Sequence, residues 1–290
     1  MRRACIDIGS NTTRLLVADC TGASLVHVHE ERAFNQIGRA RSSDGQISEA
    51  KIDEVARVVA VQLQRARALG AREVRAVATA AIRGAPNGSS LATAVSNRCG
   101  LEVEVLSWEE EARLAFIGVA RTLGHLPDGE LGVIDVGGGS SELAVGTPPD
   151  RVAWSATLPL GSGDLARACL HSDPPAALEL AEVRRRVRLA LDRLEVPPAA
   201  EAAAVGGSAG SLARLVGTWL DEEAFTSSLR LLAGHPAAAV AHRFGLEVER
   251  VRLLPAGLLI LQGAGERWGL PLLVGQGGLR EGVLLESGGD

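Results

Sequence analysis

Ile6-Asp7-Ile8-Gly9-Ser10-Asn11-Thr12-Thr13-Arg14-Leu15-Leu16-Val17-Ala18 and Ile134-Asp135-Val136-Gly137-Gly138-Gly139-Ser140-Ser141-Glu142-Leu143-Ala144-Val145-Gly146 follow one plan: an apolar-Asp-apolar-Gly run, a short polar turn and a second apolar run. The two aspartates stand 135 − 7 = 128 residues apart, close to half of the 290-residue chain. A repeat at that spacing predicts two related structural units. Each copy reads as two strands joined by a glycine-bearing turn, because short β-branched runs flank residues that tolerate tight or left-handed backbone.

Around the first copy, 25–29 alternates as a third strand. The stretch 48–69 carries Ile52, Val55, Val59, Leu63 and Ala66 at helical spacing and stops at Gly70. Strands are predicted at 74–78 and 101–106. A helix starts near Trp108, with Ser107 as N-cap and Glu110 completing a capping box, and fades near Gly124. Pro127-Asp128-Gly129 is a turn before the second copy. Beyond that copy the pattern predicts a strand at 152–158 and a helix over 176–194, whose Arg184, Arg185, Arg186 and Arg188 read as a solvated face. A strand at 202–205 then runs into Gly206-Gly207-Ser208 and a helix over 209–220. Further helices are expected at 236–243 and after Pro255-Ala256-Gly257, with a strand at 272–274. The expected fold is α/β: two related lobes, 1–125 and 126–290, facing an interdomain cleft, with the last few residues able to pack back on the first lobe.

Composition narrows the function classes. A net charge of −5 with 46% hydrophobic and 22% charged residues excludes a disordered chain and any sequence-wide electrostatic footprint for DNA. No run approaches the roughly 18 apolar residues of a membrane span, and Arg2, Arg3 and Asp7 interrupt any signal-peptide core, so the expectation is a cytoplasmic protein with no membrane partner. Cys5, Cys20, Cys99 and Cys169 lie far apart and suggest neither a disulfide framework nor a zinc knuckle. Lys51 is the only lysine, and arginine carries the remaining positive charge.

A strand–turn–strand unit with Gly, Ser, Asn or Thr in the turn presents several N–H groups and hydroxyls to one point, an arrangement that holds phosphate oxygens. Two such units could clamp one phosphate chain. Asp7 and Asp135, just before the turns, would repel a polyanion unless a divalent cation lay between them, and Mg²⁺ favours a few carboxylates together with phosphate oxygens. Glu111 shares a helix face with Leu114, Ala115 and Gly118 and is expected to point inward. A buried carboxylate there is a general-base candidate, because desolvation raises its pKa toward neutrality. Glu142, on the exit side of the second turn, is placed to hold a metal or a water. No GxxxxGK[ST] loop is present, and Gly161-Ser162-Gly163-Asp164-Leu165-Ala166 matches a dinucleotide fingerprint only formally.

With these residues assembled, the sequence resembles the Ppx/GppA phosphatase family, the exopolyphosphatases and guanosine pentaphosphate phosphatases of the actin-like (ribonuclease H-like) fold class. The resemblance rests on the first copy; on Ala78-Thr79-Ala80-Ala81-Ile82-Arg83; on Glu110-Glu111-Ala112-Arg113-Leu114 with Gly118-Val119; and on the second copy. It continues through Leu158-Pro159-Leu160-Gly161, Gly206-Gly207-Ser208, Pro255-Ala256-Gly257 and Leu279-Arg280-Glu281-Gly282. It implies hydrolysis of a terminal phosphoanhydride bond with Mg²⁺ or Mn²⁺, on polyphosphate or guanosine pentaphosphate. By position, Glu111 matches the glutamate that activates water, Asp135 and Glu142 match metal- and water-positioning acids, and Arg83 matches an arginine facing substrate phosphates. Gly9, Ser10, Asn11 and Thr12, then Gly137, Gly138, Gly139 and Ser140, and finally Gly206, Gly207 and Ser208 match phosphate-binding loops, with Asp7 a further metal candidate. A homodimer is admitted by the resemblance alone. Arg252 stands where many relatives carry an acid, and longer relatives append helical domains to the actin-like core. A non-hydrolytic polyphosphate or nucleotide sensor is the competing class, and a sugar kinase or ATPase of the same fold is a third reading.

Overall fold

In the computed structural model the two copies become the opening hairpins of two α/β units, Met1–Thr122 joined by the segment from Gly277, and Leu123–Gln276. The structure describes residues 1–22, 24–40, 42, 44–125 and 127–286, with Arg39 described by its backbone only. The first unit runs β1 (Arg2–Ile8), β2 (Thr12–Thr21), β3 (Ser24–Phe34), α1 (Glu49–Ala68), β4 (Glu73–Ala78), α2 (Ala80–Arg83), α3 (Gly88–Cys99), β5 (Val103–Val105) and α4 (Trp108–Thr122). The second runs β6 (Leu131–Val136), β7 (Ser141–Thr147), β8 (Arg151–Leu158), α5 (Ser162–Cys169), α6 (Ala177–Leu191), β9 (Glu201–Val205) and α7 (Gly206–Val216). It continues with β10 (Trp219–Leu220), α8 (Glu222–Gly234), α9 (Ala237–Phe244), α10 (Val248–Trp268) and β11 (Leu272–Val274); α11 (Leu279–Glu286) then returns to the first unit.

Sheet order is β3-β2-β1-β4-β5 in the first unit and β10-β11-β9-β6-β7-β8 in the second. Both therefore contain an antiparallel meander followed by parallel strands, the actin-like order. The repeat holds down to the register. Asp7 lies opposite Arg14 on β2 and beside Val77 on β4, while Asp135 lies opposite Glu142 on β7 and beside Val205 on β9. Every one of these partners is displaced by the same 128 residues (142 − 14 and 205 − 77). A one-residue slip would turn each aspartate to the other face, so the shared register preserves the placement of the carboxylate.

Alternation along β1 explains the layers of the first unit. Ala4, Ile6 and Ile8 pack with Ile52, Val55, Val59 and Leu91 of α1 and α3, while Cys5 points to the other face with Leu106, Leu114, Leu279 and Val283. That second face is closed by α4 and α11, which cross at glycines. A Cβ on Gly118 would lie 1.9 Å from the Gly278 carbonyl oxygen, and one on Gly282 would lie 1.9 Å from that of Leu114. The second unit accordingly ends at Gln276, not at residue 290.

Three local expectations are corrected. α10 begins at Val248 and carries Pro255 inside it, where the sequence pattern placed a helix only after that proline. An interior proline costs about 3 kcal/mol. Burial of Leu254, Leu258, Ile260 and Leu261 in the core of the second unit outweighs that, at roughly 1.5–3 kcal/mol per large side chain. The predicted helix 209–220 starts at Gly206 and stops at Val216, and α8, capped by Asp221 accepting from Ala224 N (2.8 Å), lies in a stretch for which the pattern offered nothing. Ser107 does cap α4, accepting from Glu110 N at 3.1 Å, but the Glu110 carboxylate pairs with Arg113 instead of closing a capping box. No described helix is long and apolar enough to cross a membrane.

α11 is also tied down by charge. His27 Nε2 lies 3.3 Å from Glu281, its Nδ1 3.2 Å from Glu30, and Arg280 reaches the same Glu30 oxygen at 3.3 Å. The hydrogen bond to Glu281 holds His27 above its ordinary value of 6.5, against the opposing pull of partial burial. Burial pushes the Glu281 carboxyl up, but His27, Arg280 and the Gly278 N–H outweigh it and leave it below 4.5. The His27 contribution is therefore complete below pH 6.5 and is lost as pH rises through the raised imidazole value. The Glu281 contribution is present above pH 4.5 and is lost as pH falls through the lowered one.

Two outcomes are expected. Gly118→Ala and Gly282→Ala should each cost about 1–3 kcal/mol or more by overpacking, lowering the thermal midpoint by several degrees. Gly210→Ala, exposed on α7 with open space around its Cβ position, should be neutral or stabilising. Thermal midpoints measured from about pH 6 to 8.5 should fall as His27 loses its proton, and His27→Gln should flatten that fall.

Candidate active site

The first half-site is built from β1, β4, α2 and α4. The turn after β1 closes with Gly9 N donating to Thr12 O (3.0 Å). The carbonyls of Ser10 and Asn11 accept from Gly38 N (2.9 Å) and from Asn35 N and Gln36 N (3.1 Å each), and the buried Asn35 side chain donates to Gly9 O and Thr13 Oγ1. The chain itself thus occupies the carbonyl edge of residues 9–12, which leaves the amide edge as the side suited to phosphate oxygens. Asp7 is half-buried beneath this turn. Its Oδ1 has no hydrogen-bond partner among the described residues, and burial pushes its carboxyl upward while the Arg14 and Arg280 charges pull it down.

Glu111, in the first turn of α4, is 7% exposed, as its place on the apolar face required. Arg83, the last residue of α2, donates from Nη1 to Glu111 Oε2 (2.9 Å) and to Leu106 O (2.6 Å). Its guanidinium lies over Trp108, with Cζ 3.4 Å from the ring centroid. Arginine and glutamate thus hold each other, and Trp108 covers the guanidinium face. The Nε and Nη2 of Arg83 are buried and make no hydrogen bond among the described residues.

The second half-site belongs to the other unit. Gly137 N donates to Ser140 O at 3.0 Å, the counterpart of the Gly9 bond. The N-terminus of α5 backs the loop, with Ser162 N on Gly137 O (2.9 Å) and Gly163 N and Asp164 N on Gly138 O (2.9 and 3.0 Å). A Cβ on Gly161 would sit 2.3 Å from the Gly138 carbonyl carbon, so the glycines of the formal dinucleotide match serve close backbone packing. Asp135 and the buried Glu142 stand opposite each other on adjacent strands and so share one sheet face, a like-charge pair of the kind a divalent cation can bind. Gly206 opens α7 at φ +89°, and a Cβ there would lie 2.5 Å from Asp135 Oδ1. Only a glycine lets the Gly206-Gly207-Ser208 turn approach the aspartate this closely.

Arg250 is the residue that the sequence pattern missed. It is buried on the first turn of α10, with its guanidinium against Gly207, where a Cβ would meet Nη1 at 2.7 Å. Reading the helix as starting after Pro255 left no reason to place 250 near a loop at 206–208. Arg252 lies on the exposed side, 3.0 Å from Glu249, so the residue that departs from many relatives does not displace the guanidinium at the loop. Trp108 carried no signal beyond a helix start.

Among the described residues, His27, Glu30 and Glu281 bring three ligand-type atoms within 4.8 Å of one another. Arg280 already supplies positive charge there, which marks an ion-pair network and not a cation site. Asp7, Asp135 and Glu142 are hard oxygen donors of the type Mg²⁺ and Mn²⁺ prefer, and the partnerless Asp7 Oδ1 and the Asp135–Glu142 pair both fit a divalent cation.

Fold and residues together describe an actin-like phosphate-handling protein. The sequence model of the Ppx/GppA phosphatase family matches residues 16–289, and the chain belongs to that family. It is 33% identical over 241 residues to Exopolyphosphatase 1 of Mycobacterium tuberculosis, covering 82% of this chain and 66% of that protein. It is also 33% identical over 204 residues to Exopolyphosphatase 2 of the same organism, covering 67% of this chain and 62% of that protein. The chain thus spans just under two thirds of the length of these curated relatives. Among solved structures, the Aquifex aeolicus PPX-GPPA enzyme matches with a TM-score of 0.82 at 30% identity over 99% of both chains. A Cytophaga hutchinsonii exopolyphosphatase matches at 0.88 and 20% identity, over 99% of this chain and 97% of that one, a likeness of fold.

A double-mutant cycle tests the Trp108 contact. Trp108→Ala and Arg83→Gln, singly and together, should give a coupling free energy of about 0.5–1 kcal/mol in thermal or urea unfolding. Additive effects would mean that the stacking does not hold Arg83.

Proposed function

We propose that the protein is a metal-dependent exopolyphosphatase that releases terminal orthophosphate from inorganic polyphosphate, with water activated by Glu111. The observation that carries the reading is the buried Glu111–Arg83 pair under Trp108. A carboxylate held away from solvent by a guanidinium is suited to a substrate that itself attracts guanidinium groups. An arriving phosphate competes with Glu111 for Arg83, and transfer of Arg83 to the phosphate frees Glu111 to accept a proton from water. The names of the relatives and the family match support the hydrolase class.

Each unit contributes phosphate-binding groups in this reading. The amides of Ser10, Asn11 and Thr12, and those of Gly138, Gly139 and Ser140, bind non-transferred oxygens, while the Gly9 and Gly137 N–H groups close the two turns. The α7 N-terminus at Gly206, Gly207 and Ser208, with Arg250 beside it, adds positive potential where charge accumulates. Asp135 and Glu142 would hold Mg²⁺ or Mn²⁺, and Asp7 is a separate candidate ligand in the first unit. Bound there, the ion supplies charge neutralisation to phosphate oxygens. Glu111 orients the water in line with the leaving phosphate.

Orthophosphate release from long-chain polyphosphate, tripolyphosphate, pppGpp and ATP, each with Mg²⁺ or Mn²⁺, tests this directly. Polyphosphate should be preferred, chelation should abolish release, and Glu111→Gln should lower kcat by about 10²–10⁴ with binding retained. Wild-type turnover in Glu111→Gln would remove the mechanism, and a preference for pppGpp would move the assignment to the nucleotide phosphatase.

A further inference from the structure

The arginine run of α6 is largely exposed, as the sequence led us to expect, and it forms one wall of an open groove. A cavity of about 640 Å³ lies between α6 and α10, with Arg184, Arg185 and Arg188 on one side and Arg267 on the other. Asp192 and Glu266 are the carboxylates on its rim, and Val187, Leu191 and Leu259 contribute its apolar surface. Four guanidiniums against two carboxylates leave two net positive charges in a chain whose formal charge is −5.

The carboxylates are spread thinly. Asp192 is shared by Arg267, which hydrogen-bonds it, and by Arg188 at 4.0 Å, whose side chain stays 80% exposed. Glu182 serves both Arg185 and Arg186, at 2.7 Å each. Arg184 has no ion-pair partner among the described residues. Arg184 and Arg188 sit four residues apart on one helix, about 6 Å along its axis, so both can touch one linear polyanion. Guanidinium N–H groups left over after sharing a carboxylate are suited to phosphate oxygens, which they can engage in pairs. Among the described residues no aromatic side chain lines the groove, so they offer no platform for stacking bases, and this favours a bare phosphate chain over a nucleic acid.

We propose that this groove is a second binding site for inorganic polyphosphate, one that holds the body of a long chain. The inference rests on the reading of polyphosphate as substrate. It assigns a chain-length preference to four arginines that have no part in hydrolysis. Short substrates would not need the groove, and long ones would gain affinity from it without any change in the chemical step.

The test compares the wild type with the double variant Arg184→Glu/Arg188→Glu, and with Arg184→Gln/Arg188→Gln as a milder pair should charge reversal disturb folding. KM for long-chain polyphosphate should rise about tenfold or more with kcat kept, while kcat and KM for tripolyphosphate stay unchanged. The salt dependence of long-chain KM should become shallower. Equal losses on both substrates, or none on either, would overturn the proposal. Fluorescently labelled long-chain polyphosphate, titrated by anisotropy without turnover, separates this idea from the functional reading. If the wild type releases no phosphate, the enzyme assignment falls, while weaker binding by the double variant would still place polyphosphate in the groove. Undiminished binding by the variant would reject the groove. Single-stranded RNA of equal charge that displaces the labelled chain more effectively than unlabelled polyphosphate would replace it with a nucleic-acid site.

Discussion

A carboxylate near the end of a central strand must be kept partly buried and usable, and both units are organised around that constraint. Asp7 and Asp135 occupy equivalent places one residue before strand end, each followed by a turn closed by a single N–H to carbonyl bond of 3.0 Å. Burying a charge costs several kcal/mol unless partners offset it. The two units answer that cost differently. Asp7 faces Arg14 across the hairpin and feels Arg280 from α11, whereas Asp135 faces Glu142 and meets the amino-terminal turn of α7.

The repeat was readable in the sequence because its spacing is constant in strands as well as turns. A displacement of 128 residues carries Asp7 to Asp135, Arg14 to Glu142 and Val77 to Val205, so aligning two short motifs was enough to align two sheets. Glu111 was readable for a related reason: helical periodicity assigned it to the apolar side of α4, and it is buried. Arg83 was placed by family resemblance, but its pairing with Glu111 joins residues 28 positions apart, and no local pattern encodes that.

What escaped the sequence was decided by tertiary burial. Pro255 reads locally as a helix boundary, and the core around α10 overrode it; with that boundary misplaced, Arg250 had no route to Gly207. The glycines at 161 and 163 resembled a cofactor fingerprint because close backbone approach needs the same residue whichever neighbour is approached. Here the neighbour is the Gly138 peptide. Arg184, Arg185 and Arg188 are the solvated face that the sequence indicated, but the groove they share with α10 was not legible, because charge on one helix says nothing about the helix packed beside it.

The asymmetry between the two hairpins bears on chemistry. Duplicated hairpins that kept identical charges would be equivalent phosphate cradles, each needing the same counter-ion. The exchange of Glu142 for an arginine at the equivalent position, Arg14, removes that equivalence. In the first unit the aspartate has a guanidinium as its cross-strand partner, so the local charge is balanced by the chain itself. In the second, two carboxylates oppose each other on one sheet face, and an external positive charge lowers their repulsion. The second hairpin is therefore better suited to a divalent cation than the first. The same exchange leaves Arg14, with Arg83 and Arg250, as guanidinium groups distributed over both units. The actin-like duplication thus keeps one backbone plan in both units while giving its two hairpins unequal charge.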